Sequence, residues 1–211
     1  FRHTDSNGGG GIIGDGDTQW MTAGAGILHI EAPTDEAVLK GGLFHGVQIW
    51  VNLPASLKWS KPRYQDIHGH KLNLLASHDG SSIIRVIAGE IDGNAGPGIT
   101  HTPISIIHAS ISPGSSLITP WEPTFNAIGY VLAGNGYAGK ERVSVHTGQA
   151  IQFGFGDFIE VSASMLQDSR SDDMELMILG GNPIREPIAW QGPFVMNTRQ
   201  ELMDAFEDYR N

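Results

Sequence analysis

Short apolar runs rich in β-branched residues recur along the whole chain, and each is closed by glycine, proline, asparagine or aspartate. They fall at 11–13, 26–28, 47–53, 82–88, 104–111, 127–132, 149–153 and 174–179. Runs of this length with turn residues at both ends suit strands and are too short for ordinary helices. Gly 28 and Pro 11 make 39 of 211 residues, against a usual share of about 12%. With no helical period between the runs, an all-β sandwich or barrel is expected. One helix is expected near the C-terminus. Thr198-Arg199-Gln200-Glu201 has the pattern of a capping box, and Leu202, Phe206 and Tyr209 follow as one apolar stripe.

Charge and cysteine usage exclude several functions. Lys+Arg 13 against Asp+Glu 23 leaves a net charge of −10, which opposes phosphate neutralisation on nucleic acids and docking on anionic membranes. Without cysteine there is no disulfide framework, thiolate zinc site, Fe–S cluster or thiol catalysis. That usage fits a reducing cytoplasm, the expected location. No run approaches the roughly 20 apolar residues of a membrane span. The chain opens on Phe1-Arg2-His3-Thr4-Asp5-Ser6-Asn7 and then four glycines, Gly8 to Gly11. It reads as a hairpin entered halfway, so the expectation is that natural chain precedes residue 1.

The densest stretch for chemistry is 14–33, where His29 and Glu31 stand two apart after Ile27 and Leu28. On a strand, positions i and i+2 share a face. An imidazole and a carboxylate so placed are half of a typical Fe(II), Mn(II) or Ni(II) site, since these ions favour N/O ligands. The same pair also fits a surface ion pair or a hydrogen-bonded core histidine.

The wider stretch resembles the pirin family of two-domain cupin proteins. The resemblance rests on Gly14 to Pro33 and on Gly42-Leu43-Phe44-His45-Gly46-Val47-Gln48-Ile49-Trp50-Val51-Asn52-Leu53-Pro54. It continues at Pro62-Arg63-Tyr64-Gln65-Asp66, Val86-Ile87-Ala88-Gly89, His101-Thr102-Pro103, Arg185-Glu186-Pro187 and Gly192 to Thr198. It implies two packed cupin-type β-barrels (a jelly-roll-like bicupin) and a mononuclear metal in the first, Fe(II) or another divalent transition ion. The expected division is 1–60 for the first barrel, 61–80 for a connecting stretch, 81–197 for the second barrel and 198–211 for the helix. The family's ligands are three histidines and a glutamate. His29 and Glu31 match two of them, while the His-x-His pair that supplies the others does not occur at a matching place in these 211 residues. Reduced metal, or none, is therefore expected in this 211-residue form.

Four residues are candidates for lining the cavity. His3 lies on the opening strand. Gln19 takes the place of a usual cupin ligand in Gly14-x-Gly16-(x)2-Gln19, and Trp20 and Met21 follow as core or cavity lining. His68-Gly69-His70 has the ligand spacing but reads as solvated loop, and His45, His78, His101, His108 and His146 read as satisfied by hydrogen bonds or solvent. The second half keeps the spacing of the cupin motifs with Pro120, Glu122, Ala127 and Ile151 at the ligand positions, so that barrel is expected to be structural.

The resemblance implies a quercetin 2,3-dioxygenase-type activity, opening a flavonol with dioxygen, with Glu31 as ligand and general base and His29 as fixed ligand. The alternative is a metal-dependent regulatory module that binds protein partners, and a third reading is a chain left catalytically empty by its missing ligands.

Overall fold

The computed structural model describes residues 1–210, and these form two compact units, 67–183 and 1–66 with 184–210. No helix in it is long and apolar enough to cross a membrane.

In the second unit, strong alternation between apolar and polar positions builds two antiparallel sheets. The larger sheet runs, in spatial order, through Ala150–Gln152, Ile128–Ala133, Met174–Gly181, Ile104–Ile111, Ser82–Ala88 and Asn73–Ala76. The smaller runs through Ser116–Pro120, Phe158–Ala163, Asn135–Ala138 and Val143–His146. Register places Ile107 opposite Ile178, Ala109 opposite Leu176 and Ile111 opposite Met174. These side chains join Leu117, Val131, Val145 and Val161 in one apolar cluster supplied by both sheets. Each large aliphatic side chain buried in this way is worth about 1.5–3 kcal/mol, and the cluster is what closes this barrel.

The first unit is built from smaller pieces. Arg2–Asp5 is the middle strand of a three-stranded antiparallel sheet, flanked by Gly10–Ile12 and His29–Ala32. Thr18–Thr22 pairs with Arg63–Ile67, and Ala189–Gln191 with Phe194–Met196. The terminal helix Arg199–Arg210 forms as its cap predicts: Glu201 N–H donates to Thr198 Oγ1 at 3.2 Å, and Thr198 N–H donates to Glu201 Oε2 at 2.7 Å. Its stripe meets the hairpin, where the Phe194 ring stands edge-on to Phe206 at 4.9 Å and to Tyr209 at 5.9 Å.

Residues 184–210 belong with 1–66, and polar bonds tie them together. Lys58 Nζ donates to Val195 O at 3.0 Å and Asn52 Oδ1 at 2.7 Å, and Ala55 N–H donates to Glu186 Oε2 at 2.7 Å. Burial holds the Lys58 ammonium below its ordinary pKa, opposed by the charges of Glu186 and Glu201. The unit boundaries thus differ from 60/61, 80/81 and 197/198. Strand Asn73–Ala76 pairs with Ser82–Ala88 in the second unit, while the last hairpin and helix join the first.

Several local expectations change. Residues 26–28 form no strand; pairing starts at His29, after a turn with Gly26 at φ 120°. Residues 47–53 form no strand either, because no described strand offers them ladder partners, and Trp50 stays 56% exposed. Between 54 and 80, two strands and two short 3-10 turns replace the expected irregular stretch. A helix, Asp35–Lys40, appears where none was expected, capped by Thr34 Oγ1 accepting from Ala37 N–H at 3.2 Å.

Candidate metal centre

Strand register brings the chemistry together. Arg2–Asp5 and His29–Ala32 run antiparallel with His3 opposite Glu31 and Asp5 opposite His29. Directly opposed residues share a sheet face, as do residues two apart along a strand. His3, Asp5, His29 and Glu31 therefore all project from one face of a two-strand ladder. Gln19 reaches them from Thr18–Thr22 and Tyr64 from the strand paired with it.

The cluster is tight. Glu31 Oε1 lies 3.6 Å from His3 Nδ1 and 3.8 Å from His29 Nδ1, and the His3 and His29 ring centroids are 5.2 Å apart. Gln19 Nε2 donates to Glu31 Oε1 at 2.7 Å and to His3 Nδ1 at 2.8 Å. His3 thus accepts at Nδ1 and carries its proton on Nε2, which faces Asp5 Oδ2 at 3.7 Å. The Tyr64 ring stacks on His3 at 4.9 Å. The inner side is closed, with the His3 side chain 1% and the Asp5 side chain 2% exposed, while His29 at 32% and Glu31 at 37% leave the outer side open.

The glycine run serves this packing. Gly10, at φ 151°, lies where a Cβ would come within 2.3 Å of the His3 carbonyl oxygen, and a Cβ on Gly11 would come within 2.9 Å of Tyr64 Oη. N–H groups of Gly9 and Asn7 donate to Asp5 Oδ1 at 2.9 and 2.8 Å. The Gly9 bond is the main reason the Asp5 carboxyl sits below its ordinary pKa, with Asn7 and His3 adding to it. Burial, then the charges of Asp66, Glu31 and Asp5, raise the Tyr64 hydroxyl. His3 Nε2 and Tyr64 Oη are buried without a hydrogen-bond partner.

These residues fit a divalent transition ion. One donor atom from each of His3, His29 and Glu31 lies within 4.8 Å of the others. Two imidazoles and one carboxylate with open positions are the donor set of non-haem Fe(II) oxygenases, and modest side-chain shifts bring such atoms to bonding distance of one ion. No other such group of three occurs among the described residues. His3 and Gln19, the cavity-lining candidates, lie beside His29 and Glu31. Met21 shares a strand side with Gln19 while Trp20 faces the opposite side; both are half-buried.

Elsewhere the histidines are occupied differently. His68 and His70 stack on each other at 5.4 Å on a 3-10 turn. His108 Nε2 meets Glu175 Oε2 at 2.6 Å, and His78 and His101 are exposed. In the second unit Pro120 and Glu122 face solvent, Ala127 is buried, and Ile151 packs on the apolar core. Asp5 and Tyr64 are members of the site that sequence reasoning passed over. The signal for Asp5 was present: His3-x-Asp5 repeats the spacing of His29-x-Glu31.

The pirin sequence profile matches residues 1–51, and that of the pirin C-terminal cupin domain matches 106–211. A pirin-like protein of Caulobacter vibrioides is 38% identical over 214 residues, covering 100% of this chain and 72% of its own. The chain belongs to the pirin family. Its fold is therefore the bicupin, and a crystal structure of quercetin 2,3-dioxygenase from Acinetobacter baumannii superposes with a TM-score of 0.90 at 35% identity, covering 99% of this chain and 70% of that one. A bacterial pirin from Escherichia coli, solved in complex with nickel(II), shares the fold at a TM-score of 0.56 and 20% identity, covering 86% of this chain and 68% of that one.

Proposed function

We propose that the first barrel of this pirin holds one divalent transition ion on His3, His29 and Glu31 and acts on a flavonol with dioxygen. The convergence of these three donors on one strand ladder carries the reading. The likeness to the Acinetobacter quercetin 2,3-dioxygenase supplies the substrate class. A divalent transition ion there supplies positive charge for an oxyanion and a redox partner for dioxygen.

The chain's own residues do the rest. Glu31, on the open side, takes the proton from the flavonol hydroxyl at its carboxylate. His29 stands beside it at the mouth, where its imidazole would be a fixed ligand to the ion. His3 forms the dry inner wall, kept from water by the stacked Tyr64 ring. Tyr64, with its hydroxyl pKa raised, stays protonated at neutral pH and offers an O–H donor there.

The test is loss of flavonol absorbance by metal-loaded protein in air-saturated buffer. Glu31→Gln keeps the shape and removes the base, so turnover falls by about 100-fold or more while the folded state persists. Unchanged turnover in Glu31→Gln rejects that role. A fully loaded wild-type protein that leaves the flavonol intact points instead to the regulatory, protein-binding reading.

A further inference from the structure

We infer that the Gln19 carboxamide is a resident stand-in for the cation, competing with it for His3 and Glu31. The inference rests on the metal centre proposed above. The Gln19 NH2 group is the hub of the cluster: its nitrogen lies 2.8 Å from His3 Nδ1 and 2.7 Å from Glu31 Oε1. Those two atoms are themselves only 3.6 Å apart. Both are acceptors, and the amide of Gln19 gives each a proton, as a cation would give each a positive centre. The orientation is fixed by its partners, since the amide oxygen in the same place would face a carboxylate oxygen and the lone pair of an imidazole.

Two consequences follow. Without metal, the amide keeps the buried His3 Nδ1 and the Glu31 carboxylate paired and aligned, so the cradle stays assembled. With metal, those lone pairs are needed for the ion, and the Gln19 amide has to give up both hydrogen bonds. The bond to the ionised Glu31 carboxylate is the stronger of the two, the one to the neutral imidazole the weaker. Losing both therefore weakens metal binding by tenfold or more. Gln19 thereby tunes how readily the ion loads and leaves without being a ligand.

The experiment is a Ni(II) titration of chelator-stripped protein against a competing chelator, with thermal unfolding of the metal-free form in parallel. Gln19→Ala, which leaves room for water, is expected to bind Ni(II) about tenfold more tightly and to melt at a lower temperature when metal-free. Gln19→Glu keeps the size and exchanges the donor for a second carboxylate beside Glu31; it is expected to bind more tightly still and to destabilise the metal-free form further. Gln19 acting as a ligand through its carbonyl predicts the opposite sign for Gln19→Ala. Unchanged or weaker binding by Gln19→Ala, with wild type binding one ion, overturns the competitor role alone. No binding by wild type or either variant overturns the metal centre and this inference together.

Discussion

Strand Ile104–Ile111 in the second unit and strand Arg2–Asp5 in the first are both middle strands of antiparallel sheets, yet they bury opposite chemistry. The first turns Ile107, Ala109 and Ile111, each fully buried, into an apolar cluster. The second turns His3 and Asp5 inward against Glu31, His29 and Tyr64. A dry core has no donor to offer an ion, and its stability scales with the apolar area removed from water. A polar cluster of this kind contributes less to folding, because buried polar groups cost free energy unless bonded. The unpartnered Nε2 of His3 and Oη of Tyr64 show that cost left standing within the polar cluster. One bicupin chain thus closes one unit on an apolar core and gathers His3, Asp5, His29 and Glu31 on one sheet face of the other.

The comparison breaks most readily in the core. Leu176, fully buried, sits among the aliphatic side chains of both sheets. Leu176→Ala should cost about 2–5 kcal/mol in denaturant unfolding of the second unit and leave metal affinity unchanged. A large loss of metal affinity in that variant contradicts the division of labour.

Next in size is the support of His3. A carboxylate behind a metal-bound imidazole orients the ring, and its removal typically lowers affinity about 10–100-fold. Asp5 Oδ2 faces His3 Nε2 at 3.7 Å, short of a hydrogen bond. Asp5→Ala should therefore weaken metal binding only toward the low end of that range, about tenfold, read by chelator competition, with denaturant unfolding of the second unit unchanged.

The smallest effect is at the helix cap. Hydrogen bonds from Thr198, side chain and backbone, hold the Glu201 carboxyl below its ordinary value of 4.5. A carboxyl whose pKa is lower in the folded state contributes stability above the unfolded value and loses it as pH falls through the folded value. Amide exchange in Arg199–Arg210 should therefore speed up as pH drops below about 4.5 beyond the intrinsic trend, and Glu201→Gln should flatten that response. The second unit should show no matching change.

The second unit and the last helix were the most legible parts of the sequence. Strands Ser82–Ala88 and Ile104–Ile111 fall on their apolar runs, and the capping box marks its helix by local chemistry alone. In the first unit the signals depend on partners. Residues 47–53 carry strand composition, but a strand exists only with a neighbour to bond. The Asp35–Lys40 helix is six residues long with no buried side chain, so it leaves no periodic stripe to read. His29 and Glu31 were visible because their i, i+2 spacing fixes a shared face. Tyr64 was not, because strand Arg63–Ile67 approaches the site only through pairing with Thr18–Thr22, a nonlocal event that spacing does not encode. Lys58, a long cationic side chain with no sequence pattern to mark it, is buried, with Asn52 and Val195 accepting from its ammonium.

The most direct test is metal content per chain. His29 and Glu31 alone imply reduced metal or none, but His3 joins them as a third donor. Chelator-stripped protein reloaded with Fe(II) or Ni(II), desalted and subjected to elemental analysis should therefore retain one ion per wild-type chain, and His29→Ala should retain almost none. Wild-type protein that holds no ion, or His29→Ala that holds as much as wild type, contradicts the assignment of the first barrel as the metal centre.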